Sequence, residues 1–301
     1  MASTYFFRIN MLQPEPLELP TRTDEGKELM WVDVRPYAAF LRGHLPGARW
    51  VDLSQWMVPL DTENDLDLFT LEIQRLYTRL ALPGAGSDAV VVLYDQGLSP
   101  LLCRSAFILG LGGMDVMLWP AGWETMATET GEDALHPGNV ERQNEYQNEV
   151  WTGYQSRHST EDQLENQYDI DLPSVHLRRD WFLLGEEAAF HPNLIDVRMD
   201  KEFSGEMFAP CCSQGGRIDG ARHIALSRFL EDLPQLLQDE PALKKEPLGL
   251  YCHSGARSAV AFFLLRERGI PVKNYFDSIH GWLRAGRPVI RGDLHEYRLM
   301  D

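Results

Sequence analysis

The same ordered set of short motifs occurs twice in this chain, about half its length apart. In the first half Trp31-Val32-Asp33-Val34-Arg35 precedes Gly43-His44-Leu45-Pro46-Gly47-Ala48-Arg49. Val90-Val91-Val92-Leu93-Tyr94-Asp95 follows, then a helical pattern over 101–111 and Gly122-Trp123. In the second half Leu194-Ile195-Asp196-Val197-Arg198 precedes Gly216-Arg217-Ile218-Asp219-Gly220-Ala221-Arg222. Leu250-Tyr251-Cys252, a helix over 258–268 and Gly281-Trp282 complete the series. A repeat restricts the fold more than any single motif, because each copy must supply the same elements in the same order. Each copy reads as strand, turn, strand, helix. Apolar strand runs separated by helical patterns pair in parallel, with helices on both faces, which predicts an α/β architecture. The helix after Cys252 stops at Gly269 with Arg266 and Arg268 in its last turn, as a helix C-terminus should.

Between the copies, the stretch 127–171 is rich in Glu, Asn, Gln and Ser and poor in aliphatic residues, which predicts a linker over the surface. The expected division is therefore 1–128, a linker at 129–171, and 172–301, the last opening with helical character over 177–190. The second copy also carries an insert, 204–214, that contains Cys211-Cys212 and has no counterpart in the first. Its position on the Cys252 side makes it a candidate substrate-facing loop.

At 301 residues and 44% hydrophobic composition the chain has enough apolar side chains for two ordinary cores. Its four cysteines are too few and too unevenly spaced for a disulfide framework or a two-pair zinc site, and fit a reducing compartment. The N-terminus lacks a charged region followed by a long apolar stretch, and no apolar run approaches a membrane span. A soluble cytoplasmic protein is expected. The formal charge of -17 argues against nucleic acid or an anionic membrane surface as partner. An anionic substrate would need a local cluster of arginines to draw it in.

The chemistry concentrates at Cys252-His253-Ser254-Gly255-Ala256-Arg257-Ser258, between a short apolar run and an apolar helix. A thiol at a helix N-terminus faces unpaired N–H groups and the positive end of the helix dipole, and both favour thiolate. Such settings lower a cysteine pKa from about 8.5 to roughly 3.5–7.5. The small residues Ser254, Gly255 and Ala256 let the backbone curl into a nest suited to an anion. Arg257 adds a fixed positive charge. A buried structural cysteine would instead have apolar neighbours and no arginine.

These residues resemble the tandem-domain rhodaneses, which include thiosulfate and 3-mercaptopyruvate sulfurtransferases. The likeness rests on the cysteine-x-x-glycine loop from Cys252 to Arg257, joined to the Asp-Val-Arg and Gly-x-x-x-Gly-Ala turns of each half. It implies two rhodanese-like domains, each a mainly parallel sheet flanked by helices, with the cysteine only in the second. Asp95 stands where Cys252 stands in the repeat. The resemblance further implies a double displacement: thiolate Cys252 takes the outer sulfur of a small anionic donor, becomes a persulfide, and passes the sulfur to cyanide or a thiol, a thioredoxin-like protein being one candidate. His253, Ser254, Gly255, Ala256 and Ser258 would cradle the persulfide, and Arg257 would bind the donor. No metal or organic cofactor is required, and a monomer is expected from the packing of two halves on each other.

Two departures bear on the donor. Mercaptopyruvate enzymes carry glycine after the cysteine where this chain has His253. They also clamp the donor carboxylate with upstream arginines. Arg198 matches one position, another is missing, and Arg217, in place of the usual histidine of its turn, is a candidate substitute. The position of Arg257 resembles single-domain bacterial rhodaneses and favours thiosulfate. His44 either reaches the cleft to pair with Ser254 or fixes its own turn. Asp33 and Asp196 are read as ordering the turns after them through side-chain to backbone hydrogen bonds. Trp123 and Trp282 are read as packing residues. Vicinal Cys211-Cys212 could relay a persulfide if the insert folds over Cys252. Two other readings stay open: an oxyanion enzyme of the phosphatase or arsenate-reductase kind, and a binding module without turnover. The first is disfavoured because only four residues separate Cys252 from Arg257, and the second because a structural module has no need of an anion cradle.

Overall fold

The computed structural model describes Tyr5, residues 20–125 and residues 172–292. The expected linker at 129–171 lies outside the described residues.

In the first half the chain runs β1 (Glu28–Asp33), α1 (Tyr37–Arg42), β2 (Arg49–Trp50), α2 (Leu66–Arg79), β3 (Ala89–Tyr94), α3 (Pro100–Leu111) and β4 (Asp115–Trp119). In the second it runs α4 (Gly185–Ala189), β5 (Leu194–Asp196), α5 (Asp200–Ser204), β6 (Arg222–His223), α6 (Leu226–Glu231), α7 (Leu233–Asp239), β7 (Gly249–Tyr251), α8 (Ala256–Arg266), β8 (Lys273–Asn274) and α9 (Ser278–Arg284). The two sheets have the same topology, β2-β1-β3-β4 and β6-β5-β7-β8, and every pairing in them is parallel. The repeat read from the sequence is thus a repeat of topology. β3, with the sequence AVVVLY, is buried along its whole length, as expected for a central strand covered on both faces.

The Asp-x-Arg motifs close the turns after β1 and β5 in the same way. Asp33 Oδ1 accepts from Arg35 N–H at 2.9 Å, and Asp196 Oδ1 accepts from Arg198 N–H at 2.9 Å. The stretch 177–190 departs from expectation, because only α4 within it is helical. Trp181 and Phe182 lie before it in irregular chain, where Asn274 N–H donates to Trp181 O at 2.8 Å and Phe182 pairs with Asn274 of β8. Burial of these two rings, 1% and 0% exposed, outweighs the local helical pattern.

The halves join through their equivalent helices. α3, capped by Ser99 Oγ accepting from Leu102 N–H at 3.0 Å, packs against α8. Phe107 on α3 meets the Phe262 ring edge-on at 5.0 Å and stacks on Phe276 at 5.3 Å. One apolar cluster is therefore continuous through both sheets and their interface. Truncation of a fully buried phenylalanine such as Phe107 costs about 3–5 kcal/mol, so this seam fixes one half against the other. No helix among the described residues is long and apolar enough to cross a membrane.

Candidate active site

Central strand β7 ends at Tyr251, and Cys252 is the first residue beyond it, at the strand ends where parallel sheets open a crevice. Gly255 has φ +81° and starts α8. A Cβ there would lie 2.5 Å from Phe276 O, so the conformation and the space both require glycine. Ser278 holds the loop from the other side. Its Oγ accepts from Cys252 N–H at 3.0 Å and from Gly255 N–H at 3.1 Å, and donates to Tyr275 O at 2.9 Å. The loop carbonyls are drawn toward α9: Cys252 O accepts from Ile279 N–H at 3.2 Å and His253 O from His280 N–H at 2.9 Å. The Ser254 and Ser258 N–H groups are left to serve the sulfur. Ser258 Oγ donates to Cys252 Sγ at 3.4 Å.

Cys252 is 1% exposed. Burial pushes its thiol up, yet the Arg257 charge, the Ser258 hydroxyl and the Ser258 and Ser254 N–H groups together outweigh burial and bring it below the ordinary thiol range. Arg257 is anchored by Glu202, which accepts from its two terminal nitrogens at 2.6 and 2.8 Å. Burial pushes the Glu202 carboxyl up, and the Arg257 partner more than reverses that, so the pair stays ionised at neutral pH. Burial and the neighbouring His280 and Arg257 push His253 down, which keeps it neutral there.

Arg104, on α3 of the first half, reaches the same loop. Its Nε donates to Ser254 O at 3.3 Å, Nη1 to Leu53 O at 2.6 Å and Nη2 to Trp56 O. Burial pushes this guanidinium down to about 10, opposed by the Cys252 and Asp277 charges, so it remains a cation. Arg104, Ser254, Trp56, Phe276, His280 and Arg284 line a small open cleft between the halves. A protein of net charge -17 thus places Arg257 beside the sulfur and Arg104 and Arg284 at the neighbouring cleft.

The family model of the rhodanese-like domain matches this chain twice, over residues 15–126 and 183–285. The chain belongs to the rhodanese-like family. A crystal structure of a probable thiosulfate sulfurtransferase is 40% identical, with a TM-score of 0.65, over 91% of this chain and 99% of that one. The thiosulfate sulfurtransferase of Azotobacter vinelandii is 24% identical over 89% of this chain and 92% of its own. A Haloferax volcanii protein named "Putative thiosulfate sulfurtransferase" is 35% identical, over 33% of this chain and 41% of its own.

Within this rhodanese fold, Cys252, Ser254, Gly255, Ala256, Arg257 and Ser258 come together in one loop and the start of α8. Arg198, Arg217 and His44 sit elsewhere, each tied into its own turn or core. Arg198 does not stand ready as a carboxylate clamp. Its Nε and Nη2 donate to Asp196 at 3.0 and 2.6 Å and Nη2 also to Gly216 O at 2.7 Å, all at 2% exposure. Arg217 is 1% exposed, lies over the Phe203 ring and donates to Phe203 O and Gly292 O, which ties the insert region to the end of the second half. His44 stacks on Phe40 at 3.8 Å with Nδ1 3.1 Å from Phe40 O, the turn-fixing arrangement. Asp95, at the repeat position of Cys252, accepts from Ser99 Oγ and Gln96 N–H and so serves α3's capping turn.

Sequence reasoning missed Arg104, Ser278 and Glu202. Arg104 had a signal, as the one charged residue in an otherwise apolar helix.

Proposed function

We propose that this protein is a sulfurtransferase that moves a sulfane sulfur from thiosulfate through a Cys252 persulfide to cyanide or a thiol. The observation that carries the reading is a fully buried thiol held below its ordinary pKa by loop amides and Arg257. Burial alone would suppress ionisation, so a site that reverses it is built for a thiolate. The relatives named as thiosulfate sulfurtransferases support the same reading.

Thiolate Cys252 attacks the outer sulfur of thiosulfate. The S–S bond of the donor breaks with its electron pair leaving on sulfite, and Cys252 keeps a terminal sulfur as Cys–S–S⁻. The Ser254 and Ser258 N–H groups and the α8 dipole stabilise that charge as an oxyanion hole does for oxygen. The acceptor then attacks the terminal sulfur and Cys252 leaves as thiolate. Arg257 lowers the thiol and draws the dianion, while Arg104 and Arg284 favour anions in the cleft.

3-Mercaptopyruvate is the alternative donor. It is disfavoured because the arginine at the expected clamp position, Arg198, is engaged by Asp196. The functional division we infer is a non-catalytic unit at 1–128, a linker at 129–171 and a catalytic unit at 172–301, acting as a monomer in the cytoplasm.

The test is intact mass spectrometry of the protein and of Cys252→Ser after brief exposure to either donor and donor removal. One added sulfur from thiosulfate, absent in Cys252→Ser, is expected. Loading only from mercaptopyruvate would reassign the donor, and no loading from either would leave a binding module or an oxyanion enzyme as the better reading.

A further inference from the structure

The insert that distinguishes the second half brings two thiols against the loop. A turn in which Cys212 N–H donates to Ala209 O at 2.9 Å presents Cys211 to solvent and tucks Cys212 into the cluster around Tyr251 and Ile218. His253, whose carbonyl is held by His280 N–H at 2.9 Å, faces both sulfurs. Cys211 Sγ lies 3.4 Å from His253 Nε2, and Cys212 Sγ lies 3.9 Å from His253 Nδ1. One donor atom from each of the three residues lies within 4.8 Å of the other two. An ion at about 2.3 Å from two sulfurs and about 2.0–2.1 Å from a nitrogen needs donors of about this mutual spacing. A rotation of the imidazole brings one nitrogen to the ion. The sulfur reaction as written uses neither Cys211 nor Cys212.

We propose that Cys211, Cys212 and His253 form a binding site for a thiophilic d¹⁰ ion, zinc(II) or copper(I), beside the Cys252 loop. Two thiolates and an imidazole are the soft donor set these ions prefer over magnesium or calcium. Three protein ligands complete a trigonal copper(I) centre, or leave a fourth, open position on a tetrahedral zinc. A bound ion ties the insert to the residue next to Cys252, and so couples ion supply to access to the loop. The site stands on geometry alone, whether or not Cys252 carries sulfur.

The test uses the reduced full chain, first incubated with zinc chloride, freed of loose ion by gel filtration and measured by native mass spectrometry and elemental analysis. The expected result is one zinc per chain, with affinity falling at least about tenfold in Cys211→Ser, Cys212→Ser and His253→Ala, as loss of one ligand from three demands. Cobalt(II) in place of zinc should give thiolate-to-metal charge-transfer absorption that Cys211→Ser diminishes. A parallel titration of copper(I) against bathocuproine disulfonate separates the two ions, and retention of either supports the site. Cys252→Ser should bind as the parent does. Because Cys211 is exposed, Cys211→Ser tests the site without disturbing packing. Failure to retain either ion, binding that survives the double Cys211→Ser/Cys212→Ser change, or binding lost in Cys252→Ser would overturn the proposal.

Discussion

Arg104 Nε donates to Ser254 O at 3.3 Å, so a helix of the first half holds the loop of the half that carries Cys252. The same guanidinium satisfies the carbonyls of Leu53 and Trp56, which makes it a three-way clamp at the seam. Arg104→Met removes every donor and leaves these part-buried carbonyls unmet, at about 1–3 kcal/mol each. The expected loss in urea denaturation is on the order of 3 kcal/mol. Arg104→Lys should recover only part of it, because a compact ammonium does not span the fork geometry of a guanidinium. Equal stability of the three proteins would show that the clamp holds nothing.

The pairing of Arg257 with Glu202 makes a sharper prediction about reactivity. Cys252 is held below its ordinary thiol pKa with Arg257 as the largest favourable contribution, so its iodoacetamide reaction should reach half-maximal rate at lower pH than an unperturbed thiol does. Arg257→Ala removes the cation and leaves the Glu202 carboxylate beside the loop, and both changes disfavour thiolate. The profile should move to higher pH and the rate at pH 7 should fall about tenfold or more. The double change Arg257→Ala/Glu202→Gln should recover part of that loss. Peptide-resolved mass spectrometry separates Cys252 from exposed Cys211, and Cys103, pushed up by burial, should stay unmodified throughout.

What the sequence made legible was contiguous. Strand, cysteine, nest and helix follow one another from Gly249 to Arg266, and the repeat carried the topology of both sheets. What it hid was assembled across the chain: Arg104 and Ser278 reach the loop from other elements, and spacing carries no trace of that. Arg198 is a different case, because its correction was available in the repeat. Asp33 and Arg35 form the same buried pair in the half without Cys252, which marks the motif as a turn device. Trp181 and Phe182 defeated the helical reading because tertiary burial of two large rings exceeds local propensity.

Asp277, on the rim of the cleft, gives stability a measurable pH dependence. Burial pushes its carboxyl up to about 6 from 3.8, with Asp61 and Asp65 adding to the effect and Arg284 and Leu60 N–H opposing it. The native protein therefore keeps this proton to higher pH than the unfolded chain. Stability from this group is greatest below about pH 4, falls as pH rises toward about 6, and stays lower above it. The full difference is on the order of 3 kcal/mol. Asp277→Asn keeps an acceptor for Leu60 N–H and removes the titration. In urea denaturation, wild type minus variant should drop between pH 4 and pH 6.5. Loss of the Arg284 ion pair is part of the same substitution, and that pair exists only in the ionised form, so it reduces the drop without reversing it. A difference that is flat or rises across the window would contradict this account.

Ser278 takes φ +54°, a left-handed conformation uncommon outside glycine, and its hydroxyl accepts from Cys252 N–H and Gly255 N–H. Backbone strain of this kind amounts to about 1–3 kcal/mol, whereas two buried N–H groups without an acceptor cost about 1–3 kcal/mol each. The hydroxyl's two hydrogen bonds therefore outweigh the backbone strain at this position. Ser278→Ala keeps the strain and loses both hydrogen bonds, so it should be destabilised by about 2–4 kcal/mol. Ser278→Gly loses the same bonds and relieves the strain, and should fall between Ser278→Ala and wild type. Both should slow sulfur loading of Cys252 by about tenfold to a hundredfold, because the loop amides lose the geometry that stabilises the terminal sulfur. Glycine more stable than serine here would mean that strain dominates. Unchanged loading in both variants would mean that the nest keeps its shape without Ser278.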